Sequence, residues 1–319
     1  MAAFRARWLA ASTEVGELVI GSRQPERARE LASEVGGRAG DYDDVLGSEL
    51  DALVIATATP AHLEQIEAGA RRGLPMLCEK PIALSLEDTE RAIAAVECAG
   101  VALQIAFQRR FDAAWRAARE LVAAGALGTL YSIRVASHDH EPAPERFISG
   151  SGGIFRDLHV HDFDALRWVT GVEVERVYAT GAVREWSRFA AHDDLDTSAV
   201  LLELRGGVPA LVSGSRHDPR GYDFRADILG SRDSVAIGLD RRTPLRSLEP
   251  GAQPPPERPY MGFLDRFEAA FRAEMHAFLE LVAGAGANHC PPREALEALR
   301  VAIACERSRS ERRPVEVSA

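Results

Sequence analysis

Short apolar runs alternate with amphipathic stretches along the first third of the chain. GELVIG (16–21), DALVIAT (51–57), LPMLCE (74–79) and VALQIAF (101–107) read as strands. PERARELASEVG (25–36), PAHLEQIEAGARRG (60–73) and SLEDTERAIAAVECAG (85–100) read as helices, with Pro25 in a first turn and Gly36, Gly73 and Gly100 as stops. The strands are apolar nearly throughout, the pattern of a parallel sheet covered on both faces. Ligands of such sheets bind at the carboxyl ends of the strands. Lys80 stands at one of those ends, directly after Glu79. A lysine there is either a solvated loop residue or one placed to touch a reacting group.

The texture changes after Arg110. A helix over 112–125 precedes the strand GTLYSIRVASHD, and a glycine-rich segment, SGSGG (149–153), leads into DLHVHDFDALRWVTG. VERVYATGAV, TSAVLLELRG, PALVSGSRH, YDFRADILGS and SVAIGL then alternate apolar and polar positions between turn residues. This predicts a mostly antiparallel sheet with one solvated face. A proline-rich loop (250–259) leads to two helices, 262–284 and 292–308. The expectation is an α/β protein of two domains, 1–108 and 109–319, with the last helices packing back on the first domain.

Composition narrows the partners. The net charge of 38 − 48 = −10 argues against nucleic acid or an anionic membrane, which both select clustered Lys and Arg. No apolar run is long enough to span a bilayer, and MAAFRARWLAAS lacks the apolar core of a secretory signal. Cys78, Cys98, Cys290 and Cys305 form no CxxC pair and suit a reducing compartment, so the cytoplasm is expected.

A dinucleotide-binding sheet opens with a strand and a G-x-G-x-x-G turn whose backbone approaches the pyrophosphate. Neither occurs here; the chain starts in the helix that would follow, and GELVIG takes the place of the second strand. That strand ends in Gly21-Ser22-Arg23 rather than an acidic residue. Ser22 and Arg23 suit a 2′-phosphate, or they merely cap the next helix.

GGIFRDLHVHDFD (152–164) carries the other candidate chemistry. Asp157 and His161, four apart, share one face of a helix, and a histidine beside a carboxylate is a general acid/base candidate. The alternative is an N-capping aspartate and a core histidine. His159, His161 and Asp162, with HDHE (138–141), could hold a metal, but they lack a standard zinc spacing, and AHDDLD (191–196) reads as a solvated loop.

Together ATATPAH (56–62), CEKPIALS (78–85), FQRRFD (107–112) and SGGIFRDLHVHDFDALRWVTG (151–171) resemble the Gfo/Idh/MocA oxidoreductase family, above all its inositol 2-dehydrogenase-like members. The resemblance runs from about residue 4 to the end and includes GYDFRADILGS (221–231). It implies an N-terminally truncated Rossmann-type domain, then an α+β domain whose large open sheet makes oligomer contacts in a dimer or tetramer. It implies NAD- or NADP-dependent oxidation of a secondary alcohol on a cyclic polyol or sugar, with NADP favoured by Ser22-Arg23. Lys80 would contact the substrate oxygen and the nicotinamide ribose, His161 would take the hydroxyl proton, and Asp157 would orient the pair. Thr57, Thr59, Pro60, His62 and Glu79 match cofactor-lining positions, and Tyr222 a position near the substrate. Where relatives often carry Ser-Arg-Asp, this chain has Ser137-His138-Asp139, which puts His138 at the expected substrate pocket and leaves the sugar open. The missing opening strand has two explanations: a start upstream of Met1, or a chain that binds cofactor poorly and serves as a sugar-binding or regulatory protein.

Overall fold

The computed structural model describes residues 1–318 as two compact units. The first comprises Met1–Ala106 and Arg272–Arg293. Its elements begin with α1 (Ala2–Ala11), β1 (Val19–Gly21), α2 (Pro25–Val35), β2 (Arg38–Gly40) and α3 (Tyr42–Gly47). They continue with β3 (Leu53–Ile55), α4 (His62–Arg71), β4 (Met76–Cys78), α5 (Leu86–Ala99) and β5 (Leu103–Ile105). The helices start and stop where local chemistry dictates. Ser85 accepts the Asp88 N–H at the start of α5, and Gly36 and Gly100 end α2 and α5 in the left-handed region. β2 and α3 escaped the apolar-pattern reading because Arg38-Ala39-Gly40 has no apolar run, and α3 rests on a reciprocal Asp41–Asp44 capping box.

The parallel strands form two pieces, β1–β2 and β3–β4–β5. Among the described residues, α1 is the first element. A cavity of about 440 Å³ is lined by Val19 and Ile20 of β1, by Leu53 and Val54 of β3, and by Leu9 and Val282. The buried core joins Leu9, Leu77, Ala106, Met275 and Phe278, so the later segment supplies apolar surface to this sheet.

The second unit comprises Phe107–Phe271 and the chain from Glu294 onward. Its elements are α6 (Ala113–Ala123), β6 (Leu130–His138), α7 (Glu145–Ser151), α8 (Gly153–Asp157), α9 (Val160–Thr170), β7 (Val174–Ala182) and β8 (Thr197–Leu204). β9 (Val208–Ser215), β10 (Asp223–Gly230), β11 (Ser234–Ile237), α10 (Phe263–Val282), α11 (Pro292–Glu311) and β12 (Val315–Glu316) follow. Both α10 and α11 run across the division of the chain into units. The strands form one seven-stranded sheet, β11-β10-β6-β9-β8-β7-β12, antiparallel except for the β6–β9 pair. Its inner face buries Ile133, Val135, Val200, Leu202 and Val212. Its outer face exposes Tyr178, Leu201, Leu211 and Leu229. No helix among the described residues is long and apolar enough to cross a membrane.

The SGSGG segment itself lies largely in helix: α7 runs through Ser151, Gly152 ends it, and Gly153 opens α8. One local expectation is corrected. Asp157 and His161 do not lie on one helix: α8 ends at Asp157, and α9 begins at Val160. The consecutive positive φ values of Gly152 and Gly153 set α8 apart as a single short turn, and Asp157 closes it rather than capping the start of α9.

Candidate active site

In the first unit, the candidate residues cluster at the carboxyl ends of β1, β3 and β4. Glu79 and Lys80 follow β4 directly, both half-buried. Glu79 is anchored twice: its N–H donates to Ile55 O at 2.9 Å, and its carboxylate accepts from Arg5 Nε at 2.7 Å. Arg5 is 1% exposed and also donates to Glu274 at 2.8 Å. Burial, with Glu79 nearby, raises the fully buried Glu274 carboxyl to about 7, and Arg5 only partly opposes this. The backbone that presents Lys80 is therefore braced by a buried charge cluster whose members come from α1, the end of β4 and α10.

His62 braces the same region from α4. Its Nδ1 lies 2.9 Å from Pro81 O and its Nε2 3.2 Å from Thr57 O. Burial pushes the ring's pKa down against the pull of those carbonyls. His62 thus ties the Thr57 turn to the Lys80–Pro81 turn rather than offering itself to a ligand. Thr57 Oγ1 donates to Gln65 Oε1 at 3.1 Å, and Thr59 and Pro60 open the short turn before α4. At the end of β1, Ser22 Oγ accepts the Gln24 N–H at 3.1 Å in the turn ahead of α2, whose start carries no side-chain cap, while Arg23 is exposed.

The arrangement fits a dinucleotide. Parallel strands β1, β3 and β4 end at Gly21, Ile55 and Cys78, and no side chain caps the N-terminus of α1, where backbone donors and the helix dipole suit a phosphate.

In the second unit, Asp157 Oδ2 accepts from Arg216 Nη1 at 2.8 Å. His161, half-buried at the start of α9, meets the Phe107 ring edge-on with centroids 5.9 Å apart. His159 and Asp162 turn inward and are fully buried. His159 Nδ1 is 2.7 Å from Asp162 Oδ2, and Nε2 is 2.7 Å from Ser198 Oγ. Asp162 also accepts from Ser137 at 2.7 Å and from Arg109. Burial alone would raise the Asp162 carboxyl; Arg109, His159 and Ser137 override it and hold it below the usual carboxylate range. Gly214 lets the histidine lie on the sheet, since a Cβ there would stand 2.3 Å from His159 Nε2. This network is a buried polar core, and it divides the His159–His161–Asp162 set.

His138 projects from the opposite face of β6 to Ser137. Its partners are Ser213 Oγ at 3.0 Å and the carboxylates of Asp223 at 3.6 Å and Asp218 at 3.9 Å, not Asp157 or His161. Among the described residues, these three are the group whose ligating atoms fall within 4.8 Å of one another. Arg225 already neutralises Asp223 through two hydrogen bonds, at 2.8 and 3.1 Å. Tyr222 is 5% exposed, with its ring against Phe267 and burial pushing its phenol upward. Arg5 and Arg216 escaped the sequence reading because each acts on partners far away in the chain, which no local pattern reports.

Comparison with known proteins agrees with this geometry. The family model described as an oxidoreductase family with an NAD-binding Rossmann fold matches residues 2–107, and the Gfo/Idh/MocA C-terminal domain matches residues 115–236. The myo-inositol dehydrogenase Hyg17 of Streptomyces leeuwenhoekii is 37% identical over 295 residues, 91% of this chain and 89% of that protein. A solved myo-inositol dehydrogenase from Corynebacterium glutamicum superposes with a TM-score of 0.88 at 31% identity, covering 99% of this chain and 96% of its own. A scyllo-inositol dehydrogenase from Lactobacillus casei, solved with bound NAD(H) and scyllo-inositol, has a TM-score of 0.88 at 26% identity and the same coverage.

Proposed function

Because the chain belongs to the Gfo/Idh/MocA oxidoreductases, we propose that it oxidises a secondary alcohol of an inositol-like cyclic polyol or sugar by hydride transfer to NAD or NADP. The observation that carries this reading is Lys80 at the carboxyl end of a buried parallel strand, its backbone braced by the Arg5–Glu79–Glu274 cluster. The bound nicotinamide supplies the hydride acceptor. Lys80 donates a hydrogen bond to the substrate hydroxyl oxygen and stabilises the negative charge that develops there. His161 removes the hydroxyl proton as general base, and the Asp157 carboxylate stabilises the resulting imidazolium. Thr57, Thr59 and Pro60 line the cofactor; Glu79 and His62 hold that lining in place. Tyr222 shapes the pocket near the substrate, while the outward direction of His138 leaves it no such part.

The cofactor's ribose end is assigned to Ser22 and Arg23, which favour NADP. The exposed apolar residues of the seven-stranded sheet support a homo-oligomer built through that face. Four scattered cysteines with no CxxC spacing suit a cytoplasmic enzyme. The deciding experiment titrates the 319-residue chain with NADH and NADPH by nicotinamide fluorescence, then assays myo- and scyllo-inositol. Micromolar cofactor binding with polyol-dependent reduction is expected. Absence of binding by either cofactor overturns the enzyme reading and returns the sugar-binding one.

A further inference from the structure

We propose that Arg216 is the positioning residue of the acid–base pair, clamping the Asp157 carboxylate to the end of the seven-stranded sheet. The inference rests on the reading of Asp157 and His161 given above.

Asp157 ends a five-residue helix whose N-cap, Gly152, and first residue, Gly153, both have positive φ, so its own element holds it weakly. Arg216 is the opposite case. It directly follows β9, is 3% exposed, and its N–H donates to Asp196 O at 2.8 Å. Its Nη1 lies 2.8 Å from Asp157 Oδ2 and 3.5 Å from Asp139 Oδ2. Asp139 is fixed to the same sheet end, donating its N–H to Ser215 O at 2.8 Å where β6 and β9 run side by side. The guanidinium and Asp139 are therefore set by strand register, and Asp157 is drawn to them.

The charges facing Arg216 are the carboxylates of Asp157, Asp139 and Asp194. Asp194 holds the other end of α8, where its Oδ1 accepts the Ile154 N–H at 2.7 Å. Arg156 of α8 pairs with Glu306 at 2.6 Å. Burial would weaken the Arg216 charge, but the carboxylates outweigh it. A permanent cation against Asp157 keeps that carboxylate ionised while His161 gains a proton.

The test compares wild type with R216Q, R216K and H161A in the full chain. For R216Q, kcat is expected to fall about ten-fold or more, and the acidic limb of kcat/KM against pH to move up by about one pH unit or more, because the carboxylate loses its cation. The KM for the cofactor stays at its wild-type value. R216K keeps the charge and loses the planar fork, so kcat falls less and the limb stays in place. An NMR titration of the Asp157 carboxyl carbon reads the same interaction without turnover, and its midpoint rises in R216Q. An unmoved pH profile and carboxyl midpoint in R216Q, with H161A inactive, overturn this inference alone. Turnover retained in H161A overturns the acid–base reading and this inference with it.

Discussion

Single residues carry the chemistry, and two of them are open to direct test. Lys80→Ala and His161→Ala are each expected to cut polyol-dependent turnover by about 10²–10⁴-fold while leaving thermal melting close to wild type, since both side chains are only half-buried. Full turnover in either variant removes that residue from the mechanism. Arg23→Ala tests cofactor choice separately. It is expected to weaken NADPH binding by about ten-fold or more and NADH binding little, because a guanidinium pairs with a 2′-phosphate and not with a 2′-hydroxyl. Equal loss for both cofactors would remove the 2′-phosphate role from Arg23 and leave Ser22 as the acceptor of the Gln24 N–H.

Between elements, buried charge sets stability. Asp162 of α9 joins Arg109 from the turn before α6, His159 at the start of α9 and Ser137 of β6 in a network with no solvent to replace a lost partner. Asp162→Asn should destabilise the chain by about 3–5 kcal/mol, because it strands the Arg109 guanidinium. Chemical denaturation measures this, and a loss below about 1 kcal/mol would mean that Arg109 finds another acceptor. Glu274 gives a pH signature of opposite sign to an ordinary paired carboxylate. Folded, it keeps its proton up to about pH 7; unfolded, it releases it near the ordinary glutamate value of 4.5. The native chain then binds one more proton than the unfolded chain between those values, so this group's contribution is present at low pH and is lost as pH rises through the window. Relative to Glu274→Gln, the wild type should lose on the order of 3 kcal/mol between pH 4.5 and 7. Parallel stability curves for the two proteins would show that Glu274 titrates normally.

On the scale of the whole molecule, the outer face of the seven-stranded sheet is the feature without an internal role. Tyr178, Leu201 and Leu211 stand on neighbouring strands β7, β8 and β9, between 40% and 48% exposed. A paired Leu201→Glu and Leu211→Glu substitution should convert a dimer or tetramer to monomer in analytical ultracentrifugation, since each carboxylate would have to be buried unpaired at the interface. An unchanged sedimentation coefficient would place the interface elsewhere.

The sequence by itself determined what local rules determine. Continuous apolar runs with glycine stops announced the parallel unit, period-2 alternation announced the large sheet, and the EKP and GG-x-x-x-D-x-x-x-H patterns supplied the candidate site residues. Each follows from residues near one another in the chain. The tertiary structure decided the rest. It shortened each parallel strand to three residues, because the ends of the apolar runs leave the ladder for turns. It split the Asp157–His161 stretch between two helices at a glycine-defined break. It also sorted His159 and Asp162 into the core and turned His138 to the outer face. The partners of the candidate site, Arg5 for Glu79 and Arg216 for Asp157, lie 74 and 59 positions away. A buried charge is satisfied by whatever the fold brings to it, and that is a property of topology and strand register rather than of spacing.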